Sequence, residues 1–417
     1  VVTADFCRVS AEFEKTVKYF EEENVDAVVT LHMAYSPSLE SIEALCRTEL
    51  PLVVLDTTET LEFTNSQDPN EIMYCHGVHG VMDMCSMLTR RGKKYAIAAG
   101  HYKESDCIDR ACGYIRAAVA AKSLYNSKVG LIGGLFDGMG DFRVPFDELK
   151  KRFNINVSDL SAEEISAYYN DVTNGEIEAE ISENKRCYSL NKNILPDEYE
   201  KSVRSCLAVR KCVNDRNLNA FSINFTNMGP KSGLSSMPFL ECCKAMERGI
   251  GYAGEGDVLT AAFEGALLKG YPEATFVEIF CPDWKNNMVF LSHMGEVNYR
   301  IADIKPEITR VGVNYSPGEF PYVGYTRMKG GKGVYLNISR GKDDFKLLLS
   351  ATEMVSYNGD NFNGSMRGWM KTSGKCEDFL RNLSINGATH HSVFVYGADV
   401  ESLNYFAELL NLETVII

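Results

Sequence analysis

The chain has 417 residues, a formal net charge of −14 and an apolar fraction of 45%. That acidity argues against nucleic acid and anionic membranes as partners, because both reward basic surfaces. Thirteen scattered cysteines, none in a C-x-x-C pair, fit reduced thiols and no zinc ribbon; with no apolar run of spanning length and no secretory signal, the sequence predicts a cytoplasmic chain.

The first third alternates helix-like and strand-like segments. "FEKTVKYFEEENV" (13–25) has apolar residues at helical spacing, "DAVVTLHM" follows as a buried strand, "SLESIEALCRTEL" as a helix and "PLVVLDT" as a strand. "GVHGVMDMCSMLTRRGK", "KYAIAAGHY" and "CIDRACGYIRAAVAAKSL" then read as helix, strand and helix. Such alternation implies a parallel sheet covered by helices. A second α/β segment begins near "SKVGLIGGLFDGMGDF". It passes through a polar, partly helical stretch (158–183), a long helix (198–218), the strand "NAFSINF" and the helix "PFLECCKAMERG". From about residue 274 short strands dominate: "FVEIF", "NMVFLSHM", "ITRVGVNY" (308–315), "KGVYLNISR", "FKLLLSATEMV" and "HSVFVYG". A closing helix and strand follow. The expected fold is therefore α/β: two Rossmann-like or flavodoxin-like domains with parallel sheets (1–127 and 128–273), then a mostly antiparallel β domain (274–417).

Three segments carry candidate chemistry. In "ATFVEIF" (274–280), Phe276, Glu278 and Phe280 share a strand face that the aromatics mark as buried. A buried acid needs a partner. With "PDWKNN" as a six-residue loop, Glu278 falls opposite Leu291 and His293 lies two residues on, roughly 7–8 Å away on the same face. The pair could hold one ion or make a structural hydrogen bond. In "GYAGEGDVLTAAFEG" (251–265), Glu255 sits in a tight turn and Asp257 is a plausible N-cap; a solvated loop acid is the plainer account of Glu255. In "ATHHSVFVYG" (388–397), His390 and His391 lead into an apolar strand, where strand alternation lets only one of them join a given site. A core histidine would explain either. "GLIGGLFDGMG" and "KGGKG" match neither dinucleotide nor P-loop patterns.

Taken together, these pieces resemble the L-arabinose isomerase family. "GYAGEGDVLTAA", "TFVEIF", "LSHMGEV" and "THHSVF" are similar to that family's metal-site segments and occur in the same order; "LHMAYSPS", "AIAAGHY" and "DDFKLLL" match outside the site. The resemblance implies a divalent metal, usually manganese, with cobalt or magnesium as alternatives. It implies Glu255, Glu278, His293 and His391 as ligands and the two glutamates as the acid/base pair. It also implies His101 as a group reaching a neighbouring subunit's site, Met139 and Phe225 as substrate-lining, and His390 as a sugar-hydroxyl contact. For Met139 and Phe225, core packing is the plainer role. The implied activity is aldose–ketose isomerisation of an open-chain pentose or hexose through a cis-enediol, with a hydride shift as the mechanistic alternative. The implied assembly is a homo-oligomer, trimeric or hexameric.

Departures bear on the substrate. The match starts at what reads as the family's second strand, so the first strand–helix unit is expected to be absent. Ile279 stands where the family usually has an acid, and Gly295 where it has a larger apolar residue. L-fucose isomerases share the architecture but replace the second glutamate with aspartate, so the quartet is of the arabinose type. Two other classes stay open: an inactive sugar-binding protein on the same fold, and a metal hydrolase, for which no H-E-x-x-H motif speaks.

Overall fold

The computed structural model describes residues 1–312 and 316–417. Two compact units are present, Val1–Lys122 with Glu401–Asn411, and Ser123–Val400 with Leu412–Ile417. Among the described residues no helix is long and apolar enough to cross a membrane.

In the first unit β1 (Val28–Leu31), β2 (Leu52–Asp56) and β3 (Tyr95–Ala99) pair in that order as a parallel sheet. Parallel strands require crossovers, and the helices Ser38–Arg47 and Gly77–Arg90 supply them. Their apolar stripes bury Ile42, Leu45, Val81, Met84 and Leu88 together with Leu52 and Val54. Each such side chain contributes ~1.5–3 kcal/mol when fully buried. The helix Val400–Leu409 also serves this unit: Tyr405 Oη donates to the Leu52 carbonyl at 2.9 Å.

The second unit opens with another parallel sheet. Its strands are β4 (Lys128–Ile132), β5 (Asn156–Leu160), then, past the two-residue β6 (Ser189–Leu190), β7 (Ala220–Ile223) and β8 (Gly251–Gly254). The spatial order is β5-β4-β7-β8. β7 and β8 are buried along their whole length, as expected of parallel strands covered on both faces. The polar stretch forms the helices Ala162–Asp171 and Asn174–Cys187, each opened by a reciprocal cap, Ser161 with Glu164 and Thr173 with Glu176.

The remaining strands are β9 (Ala274–Asp283), β10 (Met288–Ser292), β11 (Glu307–Arg310), β12 (Tyr322–Tyr325), β13 (Gly331–Arg340), β14 (Phe345–Val355), β15 (Gly368–Lys371), β16 (His391–Tyr396) and β17 (Glu413–Ile416). Six of them close on themselves in the order β13-β16-β9-β10-β15-β14, with β14 returning to β13 and every pairing antiparallel. Closure leaves this barrel without free edges. β17 adds to β14 in parallel, while β11 and β12 join β6 in a small separate sheet. The architecture is thus the α/β class read from the sequence, parallel sheets followed by an antiparallel β region.

Three local expectations are corrected. The strand expected over 308–315 is shorter, ending at Arg310, and its residues 313–315 lie outside the described ones. A helix, Cys376–Ile385, interrupts the run of strands before β16. The β9–β10 hairpin has a four-residue loop, since Asp283 pairs with Met288, and a bulge between Phe290 and Leu291 shifts the register. Ser292, rather than Leu291, therefore stands opposite Glu278. The shorter loop moves the pairing by two residues and the bulge, which leaves Phe280 unpaired, takes one back, a net shift of one.

Candidate active site

Four chain segments converge in the second unit. The first is the turn after β8. Glu255 has φ +67°, a left-handed conformation that costs a non-glycine residue strain, and Gly256 follows at φ +91°. The turn is pinned on every side. Glu255 N–H donates to the Ile223 carbonyl and Gly256 N–H to Ser222 Oγ, while the Glu255 carbonyl accepts from Phe136 N–H, at 2.9, 3.0 and 2.9 Å. A Cβ on Gly256 would lie 2.8 Å from Leu135 Cα, so only glycine fits. Asp257 then caps the helix Val258–Gly270, accepting from Thr260 N–H at 2.9 Å.

The second segment is the β9–β10 hairpin with the residues just past it, and the third is the start of β16, which pairs with β9. Across one ladder Glu278 pairs with His391, and across the other with Ser292. Cross-strand pairing puts His391 beside Glu278 on one ladder, and His293 follows Ser292, the partner of Glu278 on the other, by one residue. Glu278 Oε2 lies 3.8 Å from His293 Nε2. Phe276 is fully buried and sets its ring against both imidazoles, with centroids 4.8 Å from His293 and 4.9 Å from His391. Phe280 does not share this role. It is 45% exposed, because the hairpin runs out of the core beyond Glu278.

The fourth segment, the loop after β4, supplies Asp141 and Phe142. His390 Nδ1 and its backbone N–H both approach Asp141 Oδ2, at 2.6 and 2.9 Å, and Phe142 stacks on His391 with centroids 5.5 Å apart. His390 precedes β16, where strand alternation has not begun. Both neighbouring histidines therefore reach Glu255 Oε2, His390 Nε2 at 3.4 Å and His391 Nε2 at 3.7 Å, contrary to the expectation that only one could. Asn337 fixes this doublet, donating to the Thr389 and His391 carbonyls at 2.9 and 2.7 Å.

Each deeply buried imidazole is held from behind by a carboxylate. Asp257 Oδ2 lies 3.0 Å from His391 Nδ1, and Glu296 Oε2 lies 2.7 Å from His293 Nδ1. Tyr252 Oη in turn donates to Glu296 at 2.9 Å. Such partners fix the tautomer and aim the other nitrogen, Nε2, at the carboxylates, the usual support of a metal-binding histidine. Among the described residues, His391 Nε2 is buried with no hydrogen-bond partner. An orphaned buried nitrogen is costly unless something else occupies that position. Among the described residues, two overlapping groups have donor atoms within 4.8 Å of one another, Glu278/His293/His391 and Glu255/His390/His391. The mixed oxygen and nitrogen donors suit a divalent transition ion.

Electrostatics separates the two glutamates. Burial pushes Glu278 up, and the neighbouring imidazoles only partly offset it. Burial would raise Glu255 too, but His390, His391 and His293 outweigh it and hold that carboxyl below the usual range. At the rim, burial opposes charge on both partners of the Asp141–His390 pair, yet their mutual bond wins. Asp141 falls to about 2 and His390 rises to about 10.

Phe225 lines a cavity with Glu255, His293 and Tyr252, its ring 5.7 Å from that of Phe136. Met139 is half-buried on the loop that carries Asp141. His101 belongs to the other unit, just past β3, with Nε2 3.2 Å from the Glu59 carbonyl. Gly295 has a steric reason: a Cβ there would lie 2.9 Å from the Phe239 ring and 3.0 Å from Val323. The sequence reading missed Glu296, Asp141, Asn337 and the second role of Asp257. Only Glu296 had a local signal, an acid three residues after His293.

The family model for the L-arabinose isomerase central domain matches residues 147–269, and that for the L-arabinose isomerase C-terminal domain matches residues 273–413. Together they span well over half of the chain. The chain is similar to the L-arabinose isomerase of Oceanobacillus iheyensis, 25% identical over 97% of this chain and 86% of that protein. It is similar as well to that of Tolumonas auensis, 25% identical over 95% and 81%. For the Geobacillus kaustophilus enzyme of the same name the figures are 23%, 95% and 81%. The chain is a distant member of the L-arabinose isomerase family of sugar isomerases.

Proposed function

We propose that the protein is a divalent-metal-dependent aldose–ketose isomerase that moves a proton between C1 and C2 of an open-chain pentose or hexose. The observation that carries this reading is the orphaned, buried Nε2 of His391, set among Glu255, Glu278 and His293. Those four residues would hold the ion, manganese first, with cobalt or magnesium as alternatives. A bound divalent ion supplies Lewis-acid polarisation of the sugar's carbonyl and adjacent hydroxyl. Of the two carboxylates, one takes the carbon-bound proton and the other carries the hydroxyl proton, by way of a cis-enediol. Their opposed pKa shifts support such a division of labour. His390, held by Asp141 at the rim, is placed to contact a sugar hydroxyl. Phe225 and Met139 are proposed to line the substrate, and Phe276 keeps water from the imidazoles.

L-Arabinose is the first substrate to try, since the relatives carry that name. We further propose a cytoplasmic homo-oligomer, a trimer or hexamer, in which His101 serves a neighbouring subunit's site. The test is a panel of aldoses and ketoses incubated with protein and Mn²⁺ and read by solvent-proton exchange at C1 and C2. Exchange that a chelator abolishes is the expected result. No exchange with any sugar would sink the reading and favour an inactive sugar-binding protein.

A further inference from the structure

A fully buried carboxylate on the helix after the Glu255 turn takes no part in the chemistry above. Glu264 lies on the helix Val258–Gly270 with no exposed surface, surrounded along that helix by Ala, Leu and Phe. An acid at such a position is expensive unless its oxygens are satisfied. Both are: Oε2 accepts from Tyr252 N–H at 2.7 Å and Oε1 from Phe276 N–H at 2.5 Å. These donors belong to different sheets. Tyr252 is on β8 of the parallel sheet and Phe276 is on β9 of the barrel. Three residues after Tyr252 comes Glu255; two after Phe276 comes Glu278. Tyr252 also holds Glu296, which holds His293, and Phe276 packs against both His293 and His391.

We propose that Glu264 is a positioning residue, a carboxyl clamp that fixes the strand delivering Glu255 and the strand delivering Glu278 at one separation. It reaches the site through Tyr252 and Phe276 and touches neither ligand. Protonated or ionised, it presents two oxygens to two N–H groups. Glutamine presents only one acceptor, and its NH₂ would face a second donor. The inference rests on reading Glu255 and Glu278 as the paired carboxylates of one site.

The test compares wild type with Glu264→Gln in three measurements: Mn²⁺ binding, steady-state isomerisation, and ring-nitrogen NMR signals of the histidines in metal-free protein. The expected result is a roughly tenfold or greater rise in the Mn²⁺ dissociation constant. A comparable fall in kcat with a smaller change in KM should accompany it. The His293 and His391 signals should move while His32 and His76, in the other unit, stay fixed. A variant with a lowered melting temperature but wild-type Mn²⁺ affinity, kcat and ring signals would reduce Glu264 to a structural anchor and overturn the proposal. If wild type itself neither binds a divalent metal nor exchanges sugar protons, the isomerase reading fails. The ring signals then decide the clamp alone: their shift upholds it and their constancy overturns it. Should Glu264→Gln not fold, Glu264→Asp, which keeps two oxygens on a shorter arm, is read by the same signals.

Discussion

Glu255 and Glu278 are presented by backbones of opposite kinds. The first stands in a left-handed turn pinned by Ile223, Ser222 and Phe136, next to a glycine that admits no Cβ. The second sits in an ordinary extended strand, paired on both sides within a closed barrel. In the turn, orientation is set by local strain and a handful of contacts. In the strand, it is set by register, which long ladders distribute over many residues. A site assembled from both kinds keeps one carboxylate that is costly to hold and one that is cheap to hold. Substitutions should tell them apart.

The largest effect should show no difference between the two regions. Glu255→Gln and Glu278→Gln are each expected to lower isomerisation by ~10²–10⁴-fold, with melting profiles close to wild type. Full activity in either variant, assayed by C1/C2 proton exchange, would remove that residue from the acid/base pair. A turn-specific effect comes next. Gly256→Ala should cost ~1–3 kcal/mol of unfolding free energy, because it adds a Cβ at φ +91° against Leu135. Urea denaturation measures it, and an unchanged midpoint would mean that the turn is not constrained as described.

The link between the regions should appear in the pH dependence of stability. Burial raises the Glu264 carboxyl to about 8 from an ordinary value of 4.5, against the pull of its two N–H donors. An acid whose pKa is raised on folding binds more protons folded than unfolded between those values. Its contribution is thus complete below about pH 4.5 and is lost as pH rises through 8. Urea titrations at pH 5.5 and 8.5 should show wild type losing stability with pH and Glu264→Gln losing less. Equal losses would assign the dependence to other groups. The smallest effects should have opposite signs. Glu255→Gly is expected to gain about 1 kcal/mol by relieving the left-handed residue, whereas Glu278→Gly should lose about 1 kcal/mol as a glycine within a strand. Both should be inactive, so a gain in the first would be stability won at the expense of function.

Much of the fold was legible because its signals are local. Alternating periodicities identified the parallel regions, and short strands between turn residues identified the antiparallel β region, though not its closure into a barrel. "ATFVEIF" read correctly as a strand, and the sequence order of four segments suggested the quartet before any contact was known. The bulge at Phe290/Leu291 was not legible, since one extra residue leaves each half of a strand alternating normally. Phe280 misled for a related reason: parity assigns a face, but where a strand leaves the core depends on the hairpin's length. Asp141 and Asn337 were out of reach. Each meets its histidine partner across a large sequence separation, and only the folded chain brings a loop after β4 to the start of β16.

Asp257 serves a helix and an imidazole at once. One of its oxygens caps the helix Val258–Gly270 through Thr260, and the other holds His391. The first turn of that helix and the orientation of the imidazole thus share a single side chain, so neither can loosen alone. Occupancy of the site should therefore be readable far from any sugar, as slowed hydrogen exchange at the Thr260 amide when a divalent ion is added. The helix cap would act as a reporter, its opening rate a measure of how firmly the site is filled.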